Sequence, residues 1–294
     1  TLNKLKTMQT GSLKRKENDF DYVANNQLKS VLFKGTTLEN SAAGTIESIS
    51  KIELKDIENF ISQTVCLENL IIVAGGDFEL KEFEKLVKPL LETLNVGKKA
   101  QLEEVNFISK KEEKVLIKDT QQAYIYFGSS FNINSKDEEN YKAKVASFIL
   151  GGSGFGSRLM EEIRVKRGLA YSAYGSISIN KSHSYFNGYL QTKNETADEA
   201  KKLVGEIIED FVKNGVTNDE LSAAKNFLTG SEPLRSETLS QRLNRAFTLY
   251  YRGLEPNYSQ KELEKIQNLE LTDLNNYIKS HNEINNLTFS IVRK

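Results

Sequence analysis

The chain has 294 residues, with 40 Lys+Arg against 40 Asp+Glu and a formal net charge of zero, which excludes binding of nucleic acid or acidic membranes by bulk electrostatics. Its 27% charged and 38% hydrophobic residues describe a soluble chain long enough for about two domains, with no apolar run of membrane-spanning length. One cysteine, Cys66, excludes a disulfide framework, and two histidines, His183 and His281, nearly exclude histidine-rich metal chemistry.

Residues up to about Phe33 read as helix, with Leu28, Val31 and Leu32 at helical spacing and a stop at Gly35. An internal repeat follows. Ile49–Val73 aligns without gaps on Ile266–Ser290, an offset of 217, so that Leu54 falls on Leu271, Asp56 on Asp273, Phe60 on Tyr277 and Asn69-Leu70 on Asn286-Leu287. One residue out of step, Leu32-Phe33-Lys34-Gly35 matches Tyr250-Tyr251-Arg252-Gly253. Both copies read as a helix, a loop, a Leu-x-Asp helix start and a terminal apolar strand, around Leu70–Ala74 in the first. The repeat predicts residues 1–77 as the last third of a first copy, 78–114 as a helix and connecting segment, and 115–294 as the body of a second copy. About 140 residues of the first copy would then lie outside this chain.

Along the second copy, Phe78–Leu94 has a helical apolar stripe, and Asn95–Lys114 is a polar connection whose Ser109–Lys114 run reads as a solvated face. Val115–Ile117 and Ala123–Phe127 are strand-like, and Ser135 with Glu138 predicts a capping box opening a helix through Ile149. Ala170–Ile179 and Tyr185–Gln191 alternate in period two about a turn at Asn180–Ser182. Helices are predicted at Ala197–Lys213, ending at Gly215, and from Thr217 to Leu228. This order favours an α+β roll with a mostly antiparallel sheet over a doubly wound parallel sheet.

Phe148–Gly175 is the informative segment. Gly151, Gly152, Gly154 and Gly156 form a loop between helices; Ser157 suits an N-cap, and Gly168 suits a C-terminal stop before a strand at Leu169. The loop lacks the Gly-Lys-Ser/Thr of a phosphate loop and follows a helix rather than a strand.

Leu150-Gly151-Gly152, Ser157-Arg158-Leu159, Ile163-Arg164 and Arg167-Gly168-Leu169-Ala170-Tyr171-Ser172 together resemble the second-domain signature of the M16 (pitrilysin-like, mitochondrial-processing-peptidase-like) zinc metallopeptidases. Gly44–Ile49, Leu54–Ile57 and Asn69–Asp77 are similar to the end of that family's first domain. The resemblance implies a duplicated M16-type α/β roll with its first copy truncated. It implies a zinc metalloendopeptidase whose first domain holds the metal on an H-x-x-E-H helix. It also implies that Arg164 and Tyr171, seven residues apart, hold the substrate carbonyl and stabilise its oxyanion, beside Gly151 and Gly152. The residues alone leave two other readings open: an ion pair of Arg164 with Glu161, and Tyr171 as a half-buried strand aromatic.

No H-x-x-E-H occurs here, and His183 and His281 read as solvent-facing. This chain is therefore expected to bind no zinc and to be inactive alone, as the C-terminal portion of a zinc-bearing parent that hydrolyses peptides or unstructured segments. The alternative is a non-catalytic subunit that binds substrate or pairs with a zinc-bearing one, as a homodimer or heterodimer. Nucleic acid and membranes are not expected partners.

Overall fold

The computed structural model describes residues 1–294. One five-stranded sheet organises the chain: β1 (Glu112–Ile117), β2 (Ala123–Ser130), β3 (Ala170–Ile179), β4 (Ser184–Thr192) and β5 (Thr288–Arg293), in the order β1-β5-β2-β4-β3. Only the β1–β5 pairing is parallel, which is the mostly antiparallel α+β arrangement read from the sequence.

Alternation along the strands decides which face holds what. Ile125 and Phe127 of β2, Phe186 and Leu190 of β4 and Ile291 of β5 enter the apolar core. Helices α6 (Asn140–Ser147), α7 (Ala197–Asn214), α8 (Asn218–Gly230), α10 (Tyr258–Gln267) and α11 (Leu271–Ser280) close it. The opposite face carries Tyr124, Tyr126 and Gly128, and is covered by a helix from the start of the chain. α2 (Phe20–Leu32) sets Phe20 against Tyr124 and Leu28 and Leu32 over Gly128, while Ser290 Oγ donates to Gln27 Oε1 at 2.9 Å.

Several boundaries differ from those expected. The opening helix is two helices, α1 (Leu2–Lys16) and α2, because Asp19 accepts the Tyr22 N–H and caps a new start. The Ser135–Glu138 capping box does not form. Asn134 and Asp137 bind the amides of Lys136 and Glu139 in successive turns, and α6 begins only at Asn140. The helix expected from Thr217 does start there, and Thr217 closes a capping box with Glu220. β1 starts at Glu112, since its charged side chains line a sheet edge and only β5 need be matched, whereas Ser109 is buried and pairs with Ser130.

The two repeat segments behave differently. α4 (Leu54–Thr64) and α11 begin 217 residues apart, and α2 and α9 (Leu239–Arg252) both run up to a left-handed glycine, Gly35 and Gly253. After α11 the chain becomes β5, paired on both sides; after α4, Leu70–Ala74 belongs to no sheet. A strand needs a neighbour for its backbone groups, and here the segment faces α9 across a cavity, with Gly75 against Leu239 and Leu243. α3 (Ile46–Lys51), α4 and α5 (Leu80–Leu91) carry correspondingly exposed apolar side chains, Leu86 at 78%. No helix is long and apolar enough to cross a membrane.

Candidate functional site

The site is assembled where α6 runs out. Its last turn widens into a π-helical turn, Phe148–Gly152, lying against β3. Gly151 is buried there because a Cβ would stand 2.5 Å from the Gly175 nitrogen and 2.7 Å from its oxygen, so two backbones meet directly. Ser147 Oγ accepts the Ile177 N–H beside it at 2.9 Å. After the loop, Ser157 Oγ donates to the Gly154 carbonyl, and its carbonyl accepts the Glu161 N–H to open the next helical segment. That segment ends in a second π-helical turn, Met160–Val165.

Gly168 (φ 61°) then reverses the chain, its N–H bonding to the Arg164 carbonyl and that of Leu169 to Ile163. This stop brings Arg164, at the end of the helical segment, beside Tyr171, at the start of β3. The Arg164 guanidinium carbon is 4.5 Å from the Tyr171 ring centroid and 4.7 Å from that of Phe155, the tip of the glycine loop. Neither local alternative for these residues is realised. Arg164 makes no ion pair; Glu162 takes Lys166 and Arg167 instead, and hydrogen bonds from both hold its carboxyl below the usual range. Tyr171 is 82% exposed, in a break of register between Ala170 and Ala173 on the edge strand.

Arg164 and Tyr171 border an open cavity of about 760 Å³, whose wall includes Asp21, Tyr126, Tyr189 and Gln191. Asp21 accepts from the Tyr126 hydroxyl at 3.1 Å and from Gln191 Nε2 at 2.7 Å. Burial, and then the Asp21 charge, push the Tyr126 hydroxyl far above the ordinary tyrosine range, so it remains a donor. The sequence reading missed this cluster and Phe155. Period-two alternation could have placed Tyr126, Tyr189 and Gln191 on one face, since Tyr126 pairs directly with Tyr189; nothing local signals Asp21.

Arg158 braces the segment from below. Its Nε and Nη2 reach the two oxygens of Glu220 at 2.5 and 2.8 Å, and Nη2 also donates to the Gly215 carbonyl at 2.7 Å. Burial alone would raise the Glu220 carboxyl; the hydrogen bonds from Arg158 and the Thr217 amide outweigh it and hold it low.

The histidines are not solvent-facing as expected. His183 packs against Phe33 and Tyr185, where burial lowers its pKa, and His281 stacks on Phe131 with Nδ1 2.8 Å from Glu283. Neither belongs to a donor set: no group of three His, Cys, Asp or Glu side chains is arranged to hold a metal ion. The residues present do not fit a zinc site.

Residues 51–228 match the family model described as the peptidase M16 inactive domain. The chain belongs to the peptidase M16 family. It is 46% identical over 291 residues to a Helicobacter pylori protein named "Non-peptidase homolog YmxG", covering 99% of this chain and 67% of that protein. It is 23% identical over 244 residues to a Bacillus subtilis "Uncharacterized zinc protease YmxG", covering 83% of the chain and 59% of the relative. The M16 fold is equally plain in three dimensions. A crystal structure of a peptidase M16 inactive domain from Pseudomonas fluorescens superposes with a TM-score of 0.91 at 22% identity, covering 99% of this chain and 69% of that one. A chain of complex III2 from Candida albicans superposes with a TM-score of 0.80 at 18% identity, covering 100% and 71%.

Proposed function

We propose that this chain is the peptide-holding part of an M16-type protein, with Arg164 and Tyr171 as joint donors to a backbone carbonyl of an extended peptide or unstructured segment. The observation that carries this reading is the unpaired Arg164. A guanidinium offers five N–H donors, and here none is taken by a carboxylate, while Arg164 lies against the Tyr171 ring at the border of a cavity. The Tyr171 hydroxyl adds a neutral donor. Two donors aimed at one carbonyl oxygen bind it, and stabilise it further if it becomes an oxyanion. Gly151 sets how closely the loop base approaches β3, while Gly152 lies against the Ser147 carbonyl at the end of α6, and together they hold the donors at their height.

Hydrolysis would require a zinc-bearing H-x-x-E-H half from elsewhere in a longer protein or from a second M16 subunit. The unsheeted Leu70–Ala74 segment and the exposed apolar face of α4 support residues 1–77 as the end of a first domain whose remaining strands that half would bring. A second reading, a subunit that binds peptides without cleaving them, is favoured by the 46% identity to a protein named a non-peptidase homologue.

Fluorescence anisotropy with a fluorescein-labelled casein peptide tests the common core of both readings. Arg164→Ala and Tyr171→Phe should each weaken binding with unchanged stability; unaltered binding in both variants would remove this function. Cleavage of the same peptide by a form matching the full length of the relatives, with zinc, then separates peptidase from binding subunit.

A further inference from the structure

We propose that Phe155 is a positioning residue for Arg164, clamping its guanidinium so that the donor edge is held ready for the peptide; this rests on the peptide-holding reading above. Phe155 is 71% exposed at the tip of the loop, where its ring is available to a neighbouring side chain. Its partner is the Arg164 guanidinium carbon, 4.7 Å from the ring centroid. The two flanking residues, Gly154 (φ 69°) and Gly156 (φ 90°), both have left-handed backbones with open space where a Cβ would be. They are therefore glycines because of backbone conformation, not packing, and this conformation presents residue 155 to Arg164.

Arginine has many rotamers, and Arg164 has no ion pair to choose among them. Two aromatic rings, Phe155 from the loop and Tyr171 from β3, do so instead. Cation–π contact uses the π clouds of the rings rather than an oxygen acceptor, so no carboxylate or carbonyl is spent on the guanidinium N–H groups. Arg164 is thus oriented without being neutralised, which an acidic partner could not achieve.

The test compares Phe155→Ala, Phe155→Leu and Phe155→Tyr in the whole chain, using anisotropy with the labelled casein peptide and the NMR shifts of the Arg164 side-chain protons. Phe155→Ala should weaken binding by about fivefold, the size of one exposed cation–π contact. Tyrosine should restore it and leucine, apolar but without a π face, should not. Adding Phe155→Ala to Arg164→Ala should cause no further loss. The upfield ring-current shift of the Arg164 protons should fall in Phe155→Ala, where only the Tyr171 ring remains, and be kept in Phe155→Tyr. Full peptide binding by the leucine variant, an undiminished effect of Phe155→Ala without Arg164, or an unchanged ring-current shift in Phe155→Ala would each overturn the clamp. A fall in that shift together with peptide binding indifferent to Arg164→Ala would uphold the clamp and reject the peptide-holding reading.

Discussion

Arg158 and Glu220 are 62 positions apart, yet they are joined by a two-pronged ion pair that fastens the helical segment carrying Arg164 to the start of α8. Both side chains are largely buried, at 16% and 25% exposure, so the pair is not a screened surface contact. Arg158→Ala leaves the Glu220 carboxylate without its main partner and is expected to destabilise the chain by about 3 kcal/mol. A urea midpoint within error of wild type would show that the brace is dispensable.

Acid should loosen the same region. The folded-state carboxyls of Glu220 and Glu283 lie below their ordinary value of 4.5. For Glu283, burial raises the carboxyl, but the His281 side chain and the Asn132 amide outweigh it. Groups lowered by folding stabilise the protein above their unfolded pKa, and this stabilisation is lost as pH falls through the folded value. Denaturant midpoints measured downward from neutral pH should fall below pH 4.5, with a shallower fall in Glu283→Gln. Equal slopes in the two proteins would exclude Glu283 as a source of the acid sensitivity.

Gly151 and Gly205 make opposite expectations. A methyl group at Gly151 meets the backbone of Gly175 and the Leu159 side chain at 2.5–2.8 Å, so Gly151→Ala should cost about 3 kcal/mol or more. Gly205, inside α7, has open space at that point, and Gly205→Ala should add up to about 1 kcal/mol through helix propensity. Thermal melts of the two variants should therefore shift in opposite directions.

Hydrogen exchange distinguishes the two repeat segments. The amides of Ile71–Ala74 lie outside any sheet and should exchange quickly, whereas those of Phe289–Val292 lie in a strand paired on both sides and should be protected. In a longer form matching the relatives' length, the Ile71–Ala74 amides should become protected. Fast exchange there as well would count against residues 1–77 being the end of a first domain.

The pairing of Arg164 with Tyr171 was expected from the family resemblance alone, since the residues themselves left an ion pair with Glu161 and a half-buried Tyr171 open; in the structure a contiguous helical segment, glycine stop and strand start bring the two side chains together. The β3–β4 hairpin, the helix start at Thr217 and the Gly215 stop were legible in the residues themselves, each specified by positions close to one another in the chain. What lay beyond the sequence depends on distant neighbours. Asp21 meets Tyr126 and Gln191 only because α2 packs on the outer face of the sheet. The two histidines are enclosed by Phe33, Tyr185 and Phe131, which their polar flanks do not announce. Leu70–Ala74 has as much strand character as β5 but lacks its neighbours. Propensity and capping act over a turn or two of chain and can be read from the residues; burial and strand pairing are properties of surfaces that meet, and only the tertiary structure decided them.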